Sequence, residues 1–513
     1  MARTRILGGL ATALLITAAF TPEARANGFD NVANGTEQFS RGGAWLARAT
    51  DPLATFFNPA ALSRNQTSAS LSMNLIFQKS CFQRQGPNGT NVQVGSPSYN
   101  YGENCNSAGA FPNPQLAGSF RITDKLGIGI AVLGPAAAGK VNYGLTGSNT
   151  KALSPSQGAV KEGPAGTRYI LDDRDTLVAW PQIGIGYEIT KNFRVGASFI
   201  WGIAVLNFAN VSLGLQGDQS KDKTTGIVKE TGSSDVFARV KSKDLFVPGF
   251  TLSTMYTVGN NIDLAAWFHW SDAIHAKGEA DIEAFTYDSR GNLSAAPNKT
   301  KTPTGKTDVD VPQPLEARIG GRFYMPRAGV APSVNKDPLH DEQFDIEFDL
   351  EYSHDAAFDN LGIRFNGAPT QVTPAGAASP LGEVPPNADV PQNWKDSYGF
   401  RLGGDYNILP DRLAVRAGSW FQSSAVDPRY VHVDFVPAQR LALTVGATVR
   451  VSIVDIQVGY GHVFFRSIDN HGNGWLKGLS ASKADGYRTD YAVNGGKLTA
   501  STNVASLGFV GRF

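Results

Sequence analysis

Between Phe344 and Tyr352 the chain alternates without a slip. Phe344, Ile346, Phe348, Leu350 and Tyr352 are apolar, and Asp345, Glu347, Asp349 and Glu351 between them are acidic. Successive side chains of a strand point to opposite faces, so this ribbon has one greasy face and one face bearing four carboxylates. A soluble sandwich would turn that charge to water and the bulk to a core. A membrane barrel inverts the arrangement, with bulk toward lipid and charge toward the lumen. No run beyond the first 26 residues approaches the ~18 consecutive apolar residues of a transmembrane helix, so a membrane reading requires strands.

The same period recurs along the chain. Strands are predicted at Thr67–Phe77, Gln115–Ile122, Leu126–Leu133, Leu177–Ile189, Phe193–Leu206, Asp244–Val258, Ile262–Ile282, Asp308–Phe323, Phe344–Phe365, Ser397–Tyr406, Leu413–Ser423, Arg440–Arg450, Val454–Arg466 and Thr502–Phe513. That makes fourteen, and an even number returns both ends to one side, as a closed bacterial barrel requires. Tight turns such as Thr123-Asp124-Lys125, Gly259-Asn260-Asn261 and Ser452-Ile453 alternate with long polar loops; one connection on the short side, Tyr324 to Gln343, is longer. Short turns mark the periplasmic rim. The fold expected is all-β, a 14-stranded antiparallel transmembrane β-barrel with a small N-terminal helical plug in the lumen.

Parity places Glu316, Arg318, Arg322, Arg401, Asp405, Arg416, Arg440, Arg450, Asp455 and Gln457 on the lumen side with the four carboxylates. Facing acids and bases would neutralise one another; the competing reading is that one arginine holds an anionic group of a substrate. Trp180, Trp201, Trp267, Trp270 and Trp420 fall where aromatic girdles would lie, and the last strand ends on Phe513.

Residues 1–26 read as a signal peptide: Arg3 and Arg5, an apolar run from Ile6 to Phe20, then Ala24-Arg25-Ala26. Without Arg3, Arg5, Arg25 and Glu23 the 46 basic and 45 acidic residues become 43 and 44, a balance that excludes nucleic acid as a partner. Cys81 and Cys105 lie on the exported side, where oxidation is expected, and are predicted to form a disulfide closing an exposed loop. Neither has a second ligand at metal spacing. The seven histidines are scattered, with no catalytic motif, so no enzyme activity, cofactor or metal is expected.

Residues 27–66 carry no sustained alternation and are assigned to the plug, leaving 67–513 to the barrel. Asn58 is expected to cap a helical turn by accepting a backbone N–H, with Pro59 at the first helical position. The start Asn27-Gly28-Phe29, the segment Ser40 to Leu62 with Asp51 and Phe56-Phe57-Asn58-Pro59-Ala60-Ala61-Leu62, the fourteen strands and the terminal phenylalanine resemble the FadL/TodX family of outer-membrane transporters for long-chain fatty acids and other hydrophobic compounds. Two departures are visible: Ala61 stands where many members have glycine, and Arg48-Ala49-Thr50-Asp51-Pro52 is more polar than usual.

The resemblance implies a monomer in the bacterial outer membrane that takes a long-chain fatty acid or hydrocarbon into an apolar lumenal pocket. It implies displacement of the plug and sideways exit to lipid through a kinked third strand. By that likeness Asn58, Pro59 and Ala60 anchor the plug, and Phe29 is a candidate pocket residue. The third strand runs into Gly134-Pro135, where a missing ladder donor and small residues would open the wall; the plainer alternative is that the strand simply ends there. Two other functions remain open: an adhesin or receptor barrel acting through its long loops, and a general aqueous porin, which a plug argues against.

Overall fold

The computed structural model describes residues 34–513, except 91, 95–98, 135–138, 148–150, 153–162, 213–220, 223–226, 229–234, 286–297, 302–304, 331–332, 334–335, 367–370, 373–381, 384–386 and 480–487. Fourteen antiparallel strands close into a barrel. They are β1 Ser68–Arg84, β2 Phe111–Arg121, β3 Leu126–Leu133, β4 Asp173–Thr190, β5 Phe193–Ser212, β6 Asp235–Val258, β7 Ile262–Ser271, β8 Glu316–Pro326, β9 Glu342–Ser353, β10 Ser397–Leu409, β11 Leu413–Gln422, β12 Arg440–Val451, β13 Val454–Phe465 and β14 Gly496–Arg512. Each pairs with its chain neighbours, and β1 pairs with β14 along its whole length, from Ser68 opposite Arg512 to Arg84 opposite Gly496. Closure leaves no edge, which a bilayer requires because it offers no partner to an open ladder.

The polarity is inverted, as the alternation anticipates. On β9, Ile346, Phe348 and Leu350 are exposed while Asp345, Glu347, Asp349 and Glu351 are buried; on β1, Leu71, Met73, Leu75 and Phe77 are exposed while Ser70, Ser72 and Asn74 are buried. The tryptophans divide. Trp201 and Trp270 face outward as girdle residues, but Trp267 and Trp420 are buried in the lumen, so parity rather than nearness to a strand end decides their face. Periplasmic turns are tight enough to need positive φ, as at Gly259 (59°), and Ser452 adopts the same region (57°) in its two-residue turn.

Several strands extend past the membrane in outer pieces. Ile274–Phe285 continues β7, Thr307–Val311 precedes β8, Asn360–Phe365 follows β9 and Asn387–Pro391 precedes β10. The sequence reading joined the first three to their strands. Pro312 and Pro314 split the β8 piece, because proline cannot donate to the ladder. These pieces and the loops pack an apolar dome that includes Ile274, Val311, Phe358, Trp394 and Val433.

Residues 34–66 run inside the barrel as two short helices, α1 Thr36–Ser40 and α2 Ala54–Phe57, and a 3-10 turn, Pro59–Ser63. After α1, Gly42 (φ 63°) and Gly43 (φ 74°) reverse the chain, and a Cβ on Gly42 would strike the backbone of Ser419.

Candidate functional site

The turn Pro59–Ser63 rests on a wall with the side chains removed. A Cβ on Gly127 of β3, Gly186 of β4 or Gly196 of β5 would collide with the backbone of Leu62, Pro59 or Ala60 respectively, so glycine at these three positions is what lets the turn lie flat against the sheet. Ala60 N donates to Ser253 Oγ at 2.9 Å. Pro59 occupies the first position of the turn, but Asn58 does not cap it: its side chain accepts no backbone N–H there. Asn58 Nδ2 instead donates to the Leu46 carbonyl at 2.7 Å, tying two passes of the plug together. Tertiary pairing has taken the side chain from the local cap.

Opposite the turn, the plug is held by charge. Arg41 Nη1 and Nη2 donate to the two oxygens of Asp345 at 2.9 and 3.0 Å, and the same guanidinium pairs with Asp405 and with Glu347 at 3.5 Å. Arg48 reaches Glu37 at 2.7 Å, Asp405 at 3.0 Å and Asp345 at 3.2 Å. Arg322 of β8 and Arg416 of β11 complete the network through Asp345 at 2.5 Å and Asp405 at 3.3 Å. Glu347 also accepts the backbone N–H groups of Ala47 at 2.6 Å and Arg48 at 3.2 Å, and Asp349 those of Trp45 and Leu46. The carboxylate face of β9 therefore grips the plug as well as the neighbouring strands. Sequence reading missed the roles of Arg41 and Arg48; arginines in the plug of a chain with an acidic ribbon were the available signal.

Above the plug sits a shelf of rings. Phe56 of α2 packs 5.7 Å from Trp180, 5.6 Å from Trp267 and 5.5 Å from His269 between ring centroids, and Trp267 stacks on His269 at 5.6 Å. Trp267 Nε1 donates to the Phe56 carbonyl at 2.8 Å. Over this shelf, toward the long loops, lies a cavity of about 80 Å³ that opens in part to solvent. Its walls are mainly apolar, among them Ile170, Leu171, Val178, Leu206 and Phe208. That lining suits the apolar part of a hydrophobic ligand.

One guanidinium interrupts the apolar lining. Arg174 of β4 lines the cavity, donates through Nη1 to the Asp434 carbonyl at 2.6 Å and lies 5.2 Å from the Phe435 ring, while its buried Nε has no bonded partner among the described residues. His432 stands beside it with Nδ1 2.6 Å from Asp434 Oδ1, off the line of a hydrogen bond. This anchor joins a strand to a loop some 260 residues later in the chain.

Next to the cavity, β3 pairs with β4 as far as Leu133 opposite Trp180, and Gly139 lies opposite Thr176; residues 135–138 between them lie outside the described residues. Leu177, Val178 and Ala179 have no partner on that side among the described residues, and Val178 also lines the cavity. Gly134, the residue after β3, is buried. Asn34, at the start of the described plug, donates to the Gly134 carbonyl at 3.0 Å and accepts from Asn113 Nδ2 at 3.2 Å. Phe29 and Pro135 lie outside the described residues. Cys81 and Cys105 are directly opposed across β1 and the short strand Glu103–Cys105 and are joined as a disulfide, well away from the cavity.

Comparison with known proteins agrees with this architecture. The model of the outer membrane protein transport protein family (OMPP1/FadL/TodX) matches residues 17–505. Among solved structures, a Pseudomonas aeruginosa FadL homologue is similar with a TM-score of 0.66 at 16% identity, covering 95% of this chain and 100% of that one. The P. putida toluene transporter TodX gives 0.59 at 14% identity, covering 94% and 99%. The Ralstonia pickettii toluene transporter TbuX gives 0.52 at 16%, covering 94% and 99%. No curated protein sequence is significantly similar.

Proposed function

Since the chain belongs to the OMPP1/FadL/TodX family, whose members carry hydrophobic compounds across the outer membrane, we propose that its own cargo is a long-chain fatty acid held in the cavity above the plug. An apolar chain gains roughly 0.8 kcal/mol for each methylene it takes out of water, which favours the cavity over any aqueous route. The carboxylate then needs one cation. Arg174, the one guanidinium in a mainly apolar lining and with an unpartnered Nε among the described residues, is the observation that carries the reading. A charge-assisted hydrogen bond of this kind contributes about 1.5–3 kcal/mol.

The path onward is downward and sideways. The plug, seated through Asn58, Pro59 and Ala60, and the ion network beneath the aromatic shelf oppose an axial exit. A lateral exit into the bilayer opens at Gly134 and Pro135, because glycine leaves space and proline has no N–H to give a ladder. Asn34, bonded to the Gly134 carbonyl, supports coupling between the plug and that opening, and Phe29 is a candidate pocket residue. The protein acts as a monomeric channel and not as an enzyme.

The test is saturable binding of a fluorescent long-chain fatty acid by the purified protein, with its methyl ester for comparison. Arg174→Gln should weaken the acid about 10- to 100-fold and leave the ester unchanged. Absence of saturable binding together with steady ion current in planar bilayers would favour a porin. A second reading, a monoaromatic hydrocarbon as carried by the toluene transporters, is favoured by the ring shelf of Phe56, Trp180 and Trp267. In that case toluene binds and Arg174→Gln does not alter it.

A further inference from the structure

One side chain of the plug is boxed in by rings of the barrel wall. Trp180 of β4 and Trp267 and His269 of β7 surround the ring of Phe56 at centroid distances of 5.5 to 5.7 Å, and the Trp267 indole N–H donates to the Phe56 carbonyl at 2.8 Å. Trp180 and His269 meet each other at 5.2 Å, which closes the box on a third side. Tilted and edge-on contacts of this kind favour any ring of the right size, whichever molecule supplies it.

The box offers more hydrogen bonding than its occupant uses. Gln182 of β4 lies between Ala131 of β3 and Ile200 of β5, two members of the apolar cluster that packs Phe56. It is 7% exposed, and neither its Nε2 nor its Oε1 has a bonded partner among the described residues. Thr251 of β6 lies between His269 and Ser198, whose hydroxyl donates to the Thr55 carbonyl beside Phe56. Thr251 is fully buried, and its Oγ1 is likewise unbonded among the described residues. A phenyl ring gives these groups nothing. The charges nearby answer one another, since Arg318 pairs with Glu316 at 3.3 Å and with Glu351 at 2.8 Å. What stays unmatched around the ring is neutral: one amide and one hydroxyl.

We propose that the box is a binding site for a phenol, an uncharged single ring bearing a hydroxyl, and that Phe56 is its built-in substitute. A phenol packs against Trp180 and Trp267 as Phe56 does, and its hydroxyl also bonds the Gln182 amide or the Thr251 hydroxyl. That relieves buried polar groups which the plug leaves unpaired. The two rings cannot share the box, so a phenol stabilises the state in which Phe56 has withdrawn and the plug is loosened. The inference rests on the aromatic reading of the shelf and adds to it the substituent and the competitor. It is independent of a fatty acid in the cavity above.

The purified protein in detergent is titrated by calorimetry with para-cresol and with toluene, which differ by the one hydroxyl. Pairing an orphaned buried group gives about a tenfold gain, so Gln182→Leu with Thr251→Val should lower the cresol-to-toluene affinity ratio about tenfold. Phe56→Ala takes the competitor away and should tighten both ligands about tenfold. Saturating para-cresol should speed trypsin cleavage of the plug in the parent. Heat-modifiable gel mobility reports that each barrel is folded. A ratio equal in parent and double variant, with toluene bound by both, overturns the phenol assignment and leaves the hydrocarbon reading in place. Binding of neither ring overturns both. Affinities unchanged by Phe56→Ala overturn the competition between ligand and plug.

Discussion

Replacing Arg41 by methionine tests whether charge holds the plug. The guanidinium is fully buried and contacts Asp345, Asp405 and Glu347. Removing one partner of a buried ionic cluster costs about 3–5 kcal/mol, since the acids left behind stay desolvated. Here the lower end applies, because Asp345 keeps Arg322 and Arg48, Asp405 keeps Arg48 and Arg416, and Glu347 keeps the Ala47 and Arg48 amides. About 3 kcal/mol is roughly a 150-fold rise in the unseated population. Trypsin reads that population, since Arg48 and Arg64 of the plug are out of its reach while seated and cleavage tracks opening when reclosure is fast. The variant should be cut about 150-fold faster in detergent, and bilayer conductance should rise. The barrel should keep its heat-modifiable mobility, because its ladders do not involve Arg41. Adding Asp345→Asn should cost less than the two single changes summed. A cleavage rate within twofold of the parent, with the barrel intact, would refute the reasoning.

Four further outcomes are expected. Asn58→Ala removes the bond to the Leu46 carbonyl and should loosen the plug by about 1 kcal/mol, a rise of roughly fivefold in trypsin cleavage. Gly196→Val forces side-chain atoms into the Pro59 and Ala60 backbone, and should unseat the turn and raise conductance more than Asn58→Ala does. Reduction of Cys81–Cys105 reopens a loop of 24 residues' separation, a loss of up to about 3.5 kcal/mol by chain entropy, and should show as faster hydrogen exchange in the outer part of β1 with the membrane strands unaffected. Asp172, at the outer end before β4, is pushed up to about 7 by burial and by the neighbouring Asp173. A carboxyl held protonated in the folded state contributes stability at low pH that is lost as pH rises from about 4 toward 7. Amide exchange around Leu171 and Asp172 should therefore quicken over that window, and Asp172→Asn should abolish the dependence.

The barrel was legible because its physics is local: a period of two, tight turns and a greasy face can each be read within a dozen residues. Parity on β9 was enough to bury Asp345, Glu347, Asp349 and Glu351 correctly. What failed was whatever depends on partners distant in sequence. The Asn58 side chain follows the local rule for a cap until Leu46, on an earlier pass of the plug, offers a carbonyl. Trp267 looks like a girdle residue until its parity and the ring of Phe56 are known. The cavity could not be read at all, since Arg174 and the loop around Asp434 meet only through the fold. Charge alone matches Arg41 and Arg48 to the acidic ribbon, but no pattern in the plug marks which strand they face.

The seam between β1 and β14 sets the order in which such a molecule can be made. The first strand has no partner on one side until β14 has been synthesised, and Phe513 N donates to the Thr67 carbonyl at the rim. A nascent or truncated chain is thus an open ribbon with two bare margins and a water-repelling surface. It has to be escorted to the membrane in full, and the stopper can find its acidic seat only once the circle has been drawn shut around it.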